Sequence, residues 1–476
     1  MPRRARILPL AEVNLSRREY TILALIILGA ATIRIAGLTR ESFWTDETFS
    51  ANATLFASPR EVIEYARGDV HPPGFFLALW GWAKLFGSGE FALRLFTALG
   101  GIFMVPTMFR LGRQLFDVRT GLIAAFFSAF LIQSVYFSQE LRAYSWLATL
   151  GALCVSLAID CRHDGGWRSA ALLTLATVAL AYMHYFGMLL AVLVWIAVIA
   201  FPRARASGAV NWVGAGIFSL TFLPWVPSIL AQRGRVNWIP PPDARYVTEL
   251  FNVYFGPGMP VDIWVALFLA AGIPLALGRG SFRIRSAENL LLMWIVLPLL
   301  IVLLVSAFVR PVYSPRNMLI AGGAAVLLLG RAVEELGIRM KSAWIPAIAL
   351  LVGMYAIHFA TGKGYFVRPT KQQLREASQF VMQRSKGELP VYAVAWDQIN
   401  FNYYFHLAGR NREVRSIPET EVSEKGLAAT VPEAEFWIAS AGLDINRLTD
   451  FRRDFDVVES GEFLMARAYH LRRKQP

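Results

Sequence analysis

The sequence predicts an all-α polytopic membrane protein with a small α/β or α+β domain toward its C-terminal end. Three observations predict it. Apolar runs of about twenty residues, the length that crosses a bilayer, recur through most of the chain. Hydrophobic residues make up 55% of the 476 and charged residues 17%, whereas a soluble chain carries about a quarter charged. From about Thr361 the composition turns polar and the apolar runs become short. The long runs are continuous rather than alternating, which argues against a β-barrel.

The elements follow in order. The basic start (Arg3, Arg4, Arg6, Arg17, Arg18) is assigned to the cytoplasm by the positive-inside rule. No clear small-residue cleavage site follows the first apolar run, so it reads as a retained span, Tyr20 to Leu38. A long external loop, Thr39 to Gly89, comes next. Within it, Ser58-Pro59-Arg60-Glu61 reads as a capping box with proline at the first helical position. Val62, Ile63 and Tyr65 of that helix are expected on the membrane surface.

The apolar piece from Pro73 to Phe86 is too short to span. Charge settles its place: Arg110, Arg113 and Arg119 must lie inside, so the piece is an interfacial or re-entrant helix and the second span starts near Glu90. The basic stretches Arg162 to Arg168, Pro202 to Arg205, Arg279 to Arg285 and Arg331 to Lys341 then fall inside. Ser138 to Tyr144, His184-Tyr185, Ala231 to Pro260 and Arg310 to Arg316 fall outside. The count is about eleven spans, the last near Ala343 to Ala360, with the C-terminus outside. This divides the chain into a membrane domain, 1–360, and a small outer domain, 361–476.

In the outer domain Thr370-Lys371-Gln372-Gln373 reads as a capping box. It would open a helix with Leu374, Ala377 and Val381 on one face. Short apolar runs follow at Val391 to Ala395 and Phe436 to Ala439. A hairpin is expected from Asp456-Val457-Val458 to Phe463-Leu464-Met465, turning at Ser460-Gly461.

A net charge of +13 would suggest nucleic acid in a soluble protein. Here the arginines sit in short loops and set topology, so membrane lipids and not nucleic acid are the expected partners. The two cysteines, Cys154 and Cys161, make neither a disulfide framework nor a metal cluster. There is no phosphate-binding glycine-rich loop and no nucleophile elbow. An activated substrate arriving in the membrane fits better than a cytosolic nucleotide.

The first candidate site is Asp46-Glu47, just beyond the first span. Such a pair is often only two solvated loop carboxylates, but beside a bilayer one of them can serve as a general base or hold a cation. His71-Pro72-Pro73 enters a helix whose N-terminus favours phosphate; a lone histidine is otherwise structural. In Ser138-Gln139-Glu140-Leu141-Arg142-Ala143-Tyr144 a helix would put Glu140 and Tyr144 on one side and Arg142 elsewhere. That stretch reads either as a structural ion pair or as an anion site. His184-Tyr185 and Tyr313-Ser314-Pro315-Arg316 close outer ends of other spans. All five clusters fall on one side of a topology drawn without them. His71, Arg142 and Arg316 together suit a phosphate.

At these residues the chain resembles the GT-C glycosyltransferases of the protein O-mannosyltransferase and aminoarabinose-transferase type, with the bacterial RgtA/B/C/D-like group. Four motifs in the first third carry the resemblance: Trp44-Thr45-Asp46-Glu47, Asp69-Val70-His71-Pro72-Pro73-Gly74, Phe91-Ala92-Leu93-Arg94-Leu95 and Ser138 to Tyr144. It implies a GT-C-like membrane enzyme of a bacterial inner membrane, active on the periplasmic face, taking a sugar from a polyprenyl-phosphate carrier by inverting transfer. It implies Asp46 as the catalytic residue. Glu47, His71, Glu140, Arg142, Tyr144, His184, Tyr185 and Arg316 become substrate-binding candidates. A divalent metal ion stays open, and the acceptor is a glycan, a lipid or a protein. A carrier-linked sugar flippase is the alternative; it calls for polar residues deep in the spans, where this chain has few. A scaffold with a partner-binding outer domain is a third reading.

Overall fold

The computed structural model describes residues 15–201, 208–243, 245–256, 287–340, 349, 353, 370–385, 389–394, 397–410, 414–442 and 451–475. Arg3, Arg4 and Arg6, the basic stretches at 202–205 and 279–285, Lys341, and the last span expected at 343–360 lie outside the described residues. So does 257–260 of the expected outer segment. In chain order the helices are α1 (Arg17–Ile35), α2 (Thr45–Asn52), α3 (Pro59–Arg67), α4 (Gly74–Phe86), α5 (Glu90–Leu115), α6 (Val118–Phe130), α7 (Ile132–Gln139), α8 (Tyr144–Asp164), α9 (Trp167–Met183), α10 (Tyr185–Ala200), α11 (Gly208–Phe222), α12 (Val226–Gln232), α13 (Arg245–Phe255), α14 (Ala287–Phe308), α15 (Gly322–Met340), α16 (Leu374–Arg384) and α17 (Asp397–Leu407). The strands are β1 (Val391–Val394), β2 (Arg415–Ile417), β3 (Glu435–Ala441), β4 (Phe455–Phe463) and β5 (Ala466–Arg473).

Contacts group the chain into two compact units. One is Met1–Ala36, Pro59–Ala78 and Leu95–Thr361; the other is Gly37–Ser58, Leu79–Arg94 and Gly362–Pro476.

The first unit is helical. Among the described residues four helical stretches are long and apolar enough to cross a membrane: Glu90–Leu115, Tyr144–Asp164, Gly208–Val236 and Ala287–Phe308. The bent pair α6 and α7 makes a fifth if it is one span. On α14 the exposed residues Met293, Val296, Leu300 and Leu304 are as apolar as the buried Leu291, Trp294 and Val302. A helix that is hydrophobic all round suits lipid rather than water. α3 starts at Pro59, α4 covers 74–86 and α5 starts at Glu90, as the capping and length arguments require. Val62 departs from its expected place on the membrane surface: it is fully buried, because it lies on the inner face of an amphipathic helix with Ala66.

The 54° bend between α6 and α7 has a visible chemical basis. The buried Arg34 guanidinium donates to Ala129 O at 2.6 Å and Ser128 O at 2.8 Å. It thereby satisfies carbonyls that the broken helix leaves open. In return Gln139 Nε2 donates to Ile33 O, Arg34 O and Ala36 O, closing the end of α1. These two sets of bonds pin the chain just before Glu140. Residues 140–143 are therefore not helical, with Glu140 extended at φ −95°, ψ 130°. The shared helix side expected for Glu140 and Tyr144 does not form.

The second unit holds a five-stranded mixed sheet of order β2-β1-β3-β5-β4. β1 pairs in parallel with β2 and β3; β5 is antiparallel to β3 and β4. Tyr392, Val394, Ile417, Phe436, Ile438, Tyr469 and Leu471 form a core on one face. On α16 Leu374, Ala377 and Val381 are all buried, as their spacing predicts.

Two expectations fail here. α16 begins at Leu374 without a side-chain cap, because Thr370 gives its N–H and hydroxyl to Glu41 instead. The hairpin turns at Leu464-Met465, with Met465 at φ 51°, while Gly461 lies inside β4. An added Cβ at Gly461 would come within 2.9 Å of the Phe380 ring, so this glycine serves a close ring contact rather than a turn.

Candidate functional site

The Asp46-Glu47 pair sits on the first turn of α2 in the second unit. Adjacent helical residues point about 100° apart, and the two carboxylates have different surroundings. Glu47 is fully buried. Arg94 meets it bidentately, Nε to Oε1 at 2.8 Å and Nη2 to Oε2 at 2.6 Å. Lys371 Nζ adds a 3.1 Å contact to Oε2, and the Trp44 backbone N–H a 3.4 Å one. Arg94 also donates to Leu38 O, Glu41 O and Ser42 O, and lies 4.7 Å over the Phe43 ring. It fastens the whole approach to α2. Asp46 stays half-buried.

The N-terminal N–H groups of a helix need acceptors from outside it. For α2 the acceptor is Gln372, whose Oε1 takes Thr45 N at 2.9 Å and Thr45 Oγ1 at 2.7 Å. Asn400 of α17 bonds to Thr45 Oγ1 and Thr48 Oγ1. Tyr404 accepts from Phe43 N at 2.7 Å and donates to Glu90 at 2.6 Å. Lys371, Gln372 and Asn400 carry no local sign of a distant partner, and sequence alone does not mark them for the site. Arg94 did carry one, a charge within an apolar run.

The first unit gathers a different set. A small pocket is lined by His71, Phe75, Phe76, Arg142, Ala143, Tyr144, Met183 and His184. The His71 and His184 rings meet edge to face at 5.0 Å, and Tyr144 lies 6.5 Å from His184. Arg316 stands 5.9 Å over the Tyr144 ring. His71 Nδ1 is 2.8 Å from Asp69 Oδ2, which turns the other ring nitrogen, Nε2, away from that carboxylate. Gly74 permits this assembly: a Cβ there would fall 2.5 Å from Tyr182 O, so only glycine lets the start of α4 approach the end of α9.

The electrostatics follow from the packing. Burial and the nearby His71 and Arg142 hold His184 well below the ordinary histidine range, against the pull of Asp69. Among the described residues its buried Nε2 has no hydrogen-bond partner, which suits a neutral ring. Burial raises the Asp69 carboxyl, but the charge and hydrogen bond of His71, with Arg142, outweigh it and leave it below the usual value.

Of the expected residues, His71, Arg142, Tyr144 and His184 meet at this pocket, with Arg316 next to Tyr144. Glu140 is fully buried beside it in sequence and is not on its lining. Tyr185 is engaged elsewhere, where its hydroxyl bonds to Gln232 and accepts from Trp225 Nε1 at 2.9 Å. Among the described residues no group of three or more His, Cys, Asp or Glu is placed to hold a metal ion.

Residues 70–227 match the family model described as dolichyl-phosphate-mannose-protein mannosyltransferase. No curated protein sequence matches the chain. Among solved structures, apo ArnT from Cupriavidus metallidurans is similar at TM-score 0.61 and 13% identity, covering 95% of this chain and 98% of that one. The same protein bound to undecaprenyl phosphate gives 0.60 and 13%, covering 96% and 98%. The archaeal oligosaccharyltransferase AglB from Archaeoglobus fulgidus, with an inhibitory peptide and a dolichol-phosphate, gives 0.54 and 11%, covering 89% and 69%. The chain has the fold of these membrane glycosyltransferases, the GT-C fold its sequence motifs resemble.

Proposed function

We propose that the protein is an inverting glycosyltransferase moving a sugar from a polyprenyl-phosphate carrier to an acceptor hydroxyl. The acceptor is a glycolipid, a polysaccharide or a protein, and the reaction takes place on the periplasmic face of a bacterial inner membrane. The observation that carries the reading is the pocket of Arg142, His71, His184 and Tyr144, brought together from separate segments. A guanidinium and imidazoles among aromatic walls suit a phosphate on a lipid tail. The likeness to a fold solved with undecaprenyl phosphate supports the same ligand class.

In this mechanism the acceptor oxygen attacks the anomeric carbon and its proton passes to the Asp46 carboxylate. The bond from the anomeric carbon to the phosphate oxygen breaks, and its electron pair leaves with the polyprenyl phosphate. Arg142 and His71, with Arg316, stabilise that charge. Glu47 takes a positioning role, since its oxygens hold Arg94 and Lys371. We include in the proposal a topology of about eleven spans, to which the shorter apolar helices 167–183 and 185–200 contribute, and an outer domain at 361–476.

The test is turnover of a panel of polyprenyl-phosphate-linked monosaccharides by purified protein in detergent. The wild type releases polyprenyl phosphate and forms a glycoside of inverted anomeric configuration. Asp46→Asn lowers kcat by about 10²- to 10⁴-fold and keeps undecaprenyl phosphate affinity. Wild-type turnover in that variant, or a glycoside of retained configuration, would overturn the mechanism.

A further inference from the structure

We propose that Lys371 and Gln372, at the entry to the C-terminal sheet domain, are positioning residues for Asp46, so that this domain completes the catalytic loop. The inference rests on the reading of Asp46 as the base. The geometry is specific to the two neighbours of Asp46. Thr45, on its N-terminal side, is held at both N–H and hydroxyl by the single oxygen Oε1 of Gln372. Glu47, on its C-terminal side, is held by Lys371 as well as Arg94. Consecutive residues of one segment therefore clamp the residues on either side of Asp46, and its backbone position is fixed from 371–372.

The anchor is itself fixed. Gln372 O accepts from Ser42 Oγ at 2.7 Å, and Gln373 N donates to Leu464 O at 3.0 Å in the β-hairpin turn. Asn400 holds the same face of α2 from α17. A general base must meet its proton donor within hydrogen-bond reach, and a displacement of about 1 Å costs about 10²-fold in rate.

The test uses the full-length protein. Gln372→Met keeps length and volume but loses the acceptor oxygen. It is expected to lower kcat about 10- to 100-fold with undecaprenyl phosphate affinity unchanged. Gln372→Glu, which restores an acceptor oxygen, is expected to recover most of kcat. In hydrogen exchange the amides of 44–48 should lose protection in Gln372→Met and regain it in Gln372→Glu, whatever donor is used. Full turnover or unchanged exchange in Gln372→Met overturns the inference. So does a loss of donor affinity equal to the loss of kcat, or failure of Gln372→Glu to recover. If instead Asp46→Asn turns over normally, the reading of Asp46 fails, and that result is separate because it leaves the exchange measurement untouched.

Discussion

Two polar centres of this protein, one around Glu47 and one at the His71–Arg142 pocket, are built on opposite principles. Around Glu47 a buried carboxylate is met by two cations, and the donors of Arg94 are spread over backbone carbonyls as well. Around the pocket, cationic and imidazole groups line a cavity with aromatic walls, and the carboxylate bonded there, Asp69, engages a histidine. The first arrangement satisfies its own charge and holds a loop in shape. The second gathers an arginine and two imidazoles, one of them bonded to Asp69, around a cavity. Both sets come from equally plausible motifs; what separates them is that Glu47 is enclosed by its cations whereas Arg142, His71 and His184 line a cavity.

The largest effect should come from breaking the first centre. Glu47→Gln removes the carboxylate charge that two buried cations share, which is expected to cost about 3–5 kcal/mol, read as thermal unfolding in detergent. A loss within experimental error would show that Glu47 is not a scaffold residue. Arg142→Met should have the reverse profile. On the proposed function its charge-assisted contacts to a phosphate would be worth about 1.5–3 kcal/mol, so undecaprenyl phosphate binding should weaken about tenfold to a hundredfold, with a smaller loss in melting than Glu47→Gln. If Arg142→Met destabilises as much as Glu47→Gln, the contrast collapses.

The smallest effect is in pH. The folded state holds His184 below its ordinary range. Below about pH 6.5 the unfolded chain takes up a proton that the folded one refuses, so stability falls on acidification by up to about 1.4 kcal/mol per pH unit. Asp69, held low, contributes stability that is fully present above about pH 4 and lost only below it. Melting between about pH 6.5 and 5 therefore reads His184 apart from Asp69, and His184→Gln should lessen that slope.

Local chemistry made much of the fold legible. Pro59 opens α3, α4 covers 74–86, and the Leu374, Ala377 and Val381 stripe is buried. Each depends on residues within one or two turns. Failures mark places where a distant partner wins. Thr370 is drawn to Glu41 instead of capping α16, and the 140–143 break is held by Arg34 and Gln139. His71, Arg142, Tyr144 and His184 were legible as candidates from type and topology. Their meeting at one pocket, and the gripping of Glu47 by Arg94 and Lys371, depend on tertiary contacts that no local pattern encodes.

The bond between Thr45 and Gln372 spans 327 positions of the chain. At about 5–20 residues per second of synthesis, α2 waits roughly 15–65 seconds for its cap. During that interval the segment bearing Asp46 has emerged but lacks the contacts that would set it. On the proposed function, a chain truncated before Lys371 would carry Asp46 without the Gln372 and Lys371 contacts to its neighbours. Timing is thus written into the contact map: the ribosome delivers Asp46 early and the residues that fix its neighbours last.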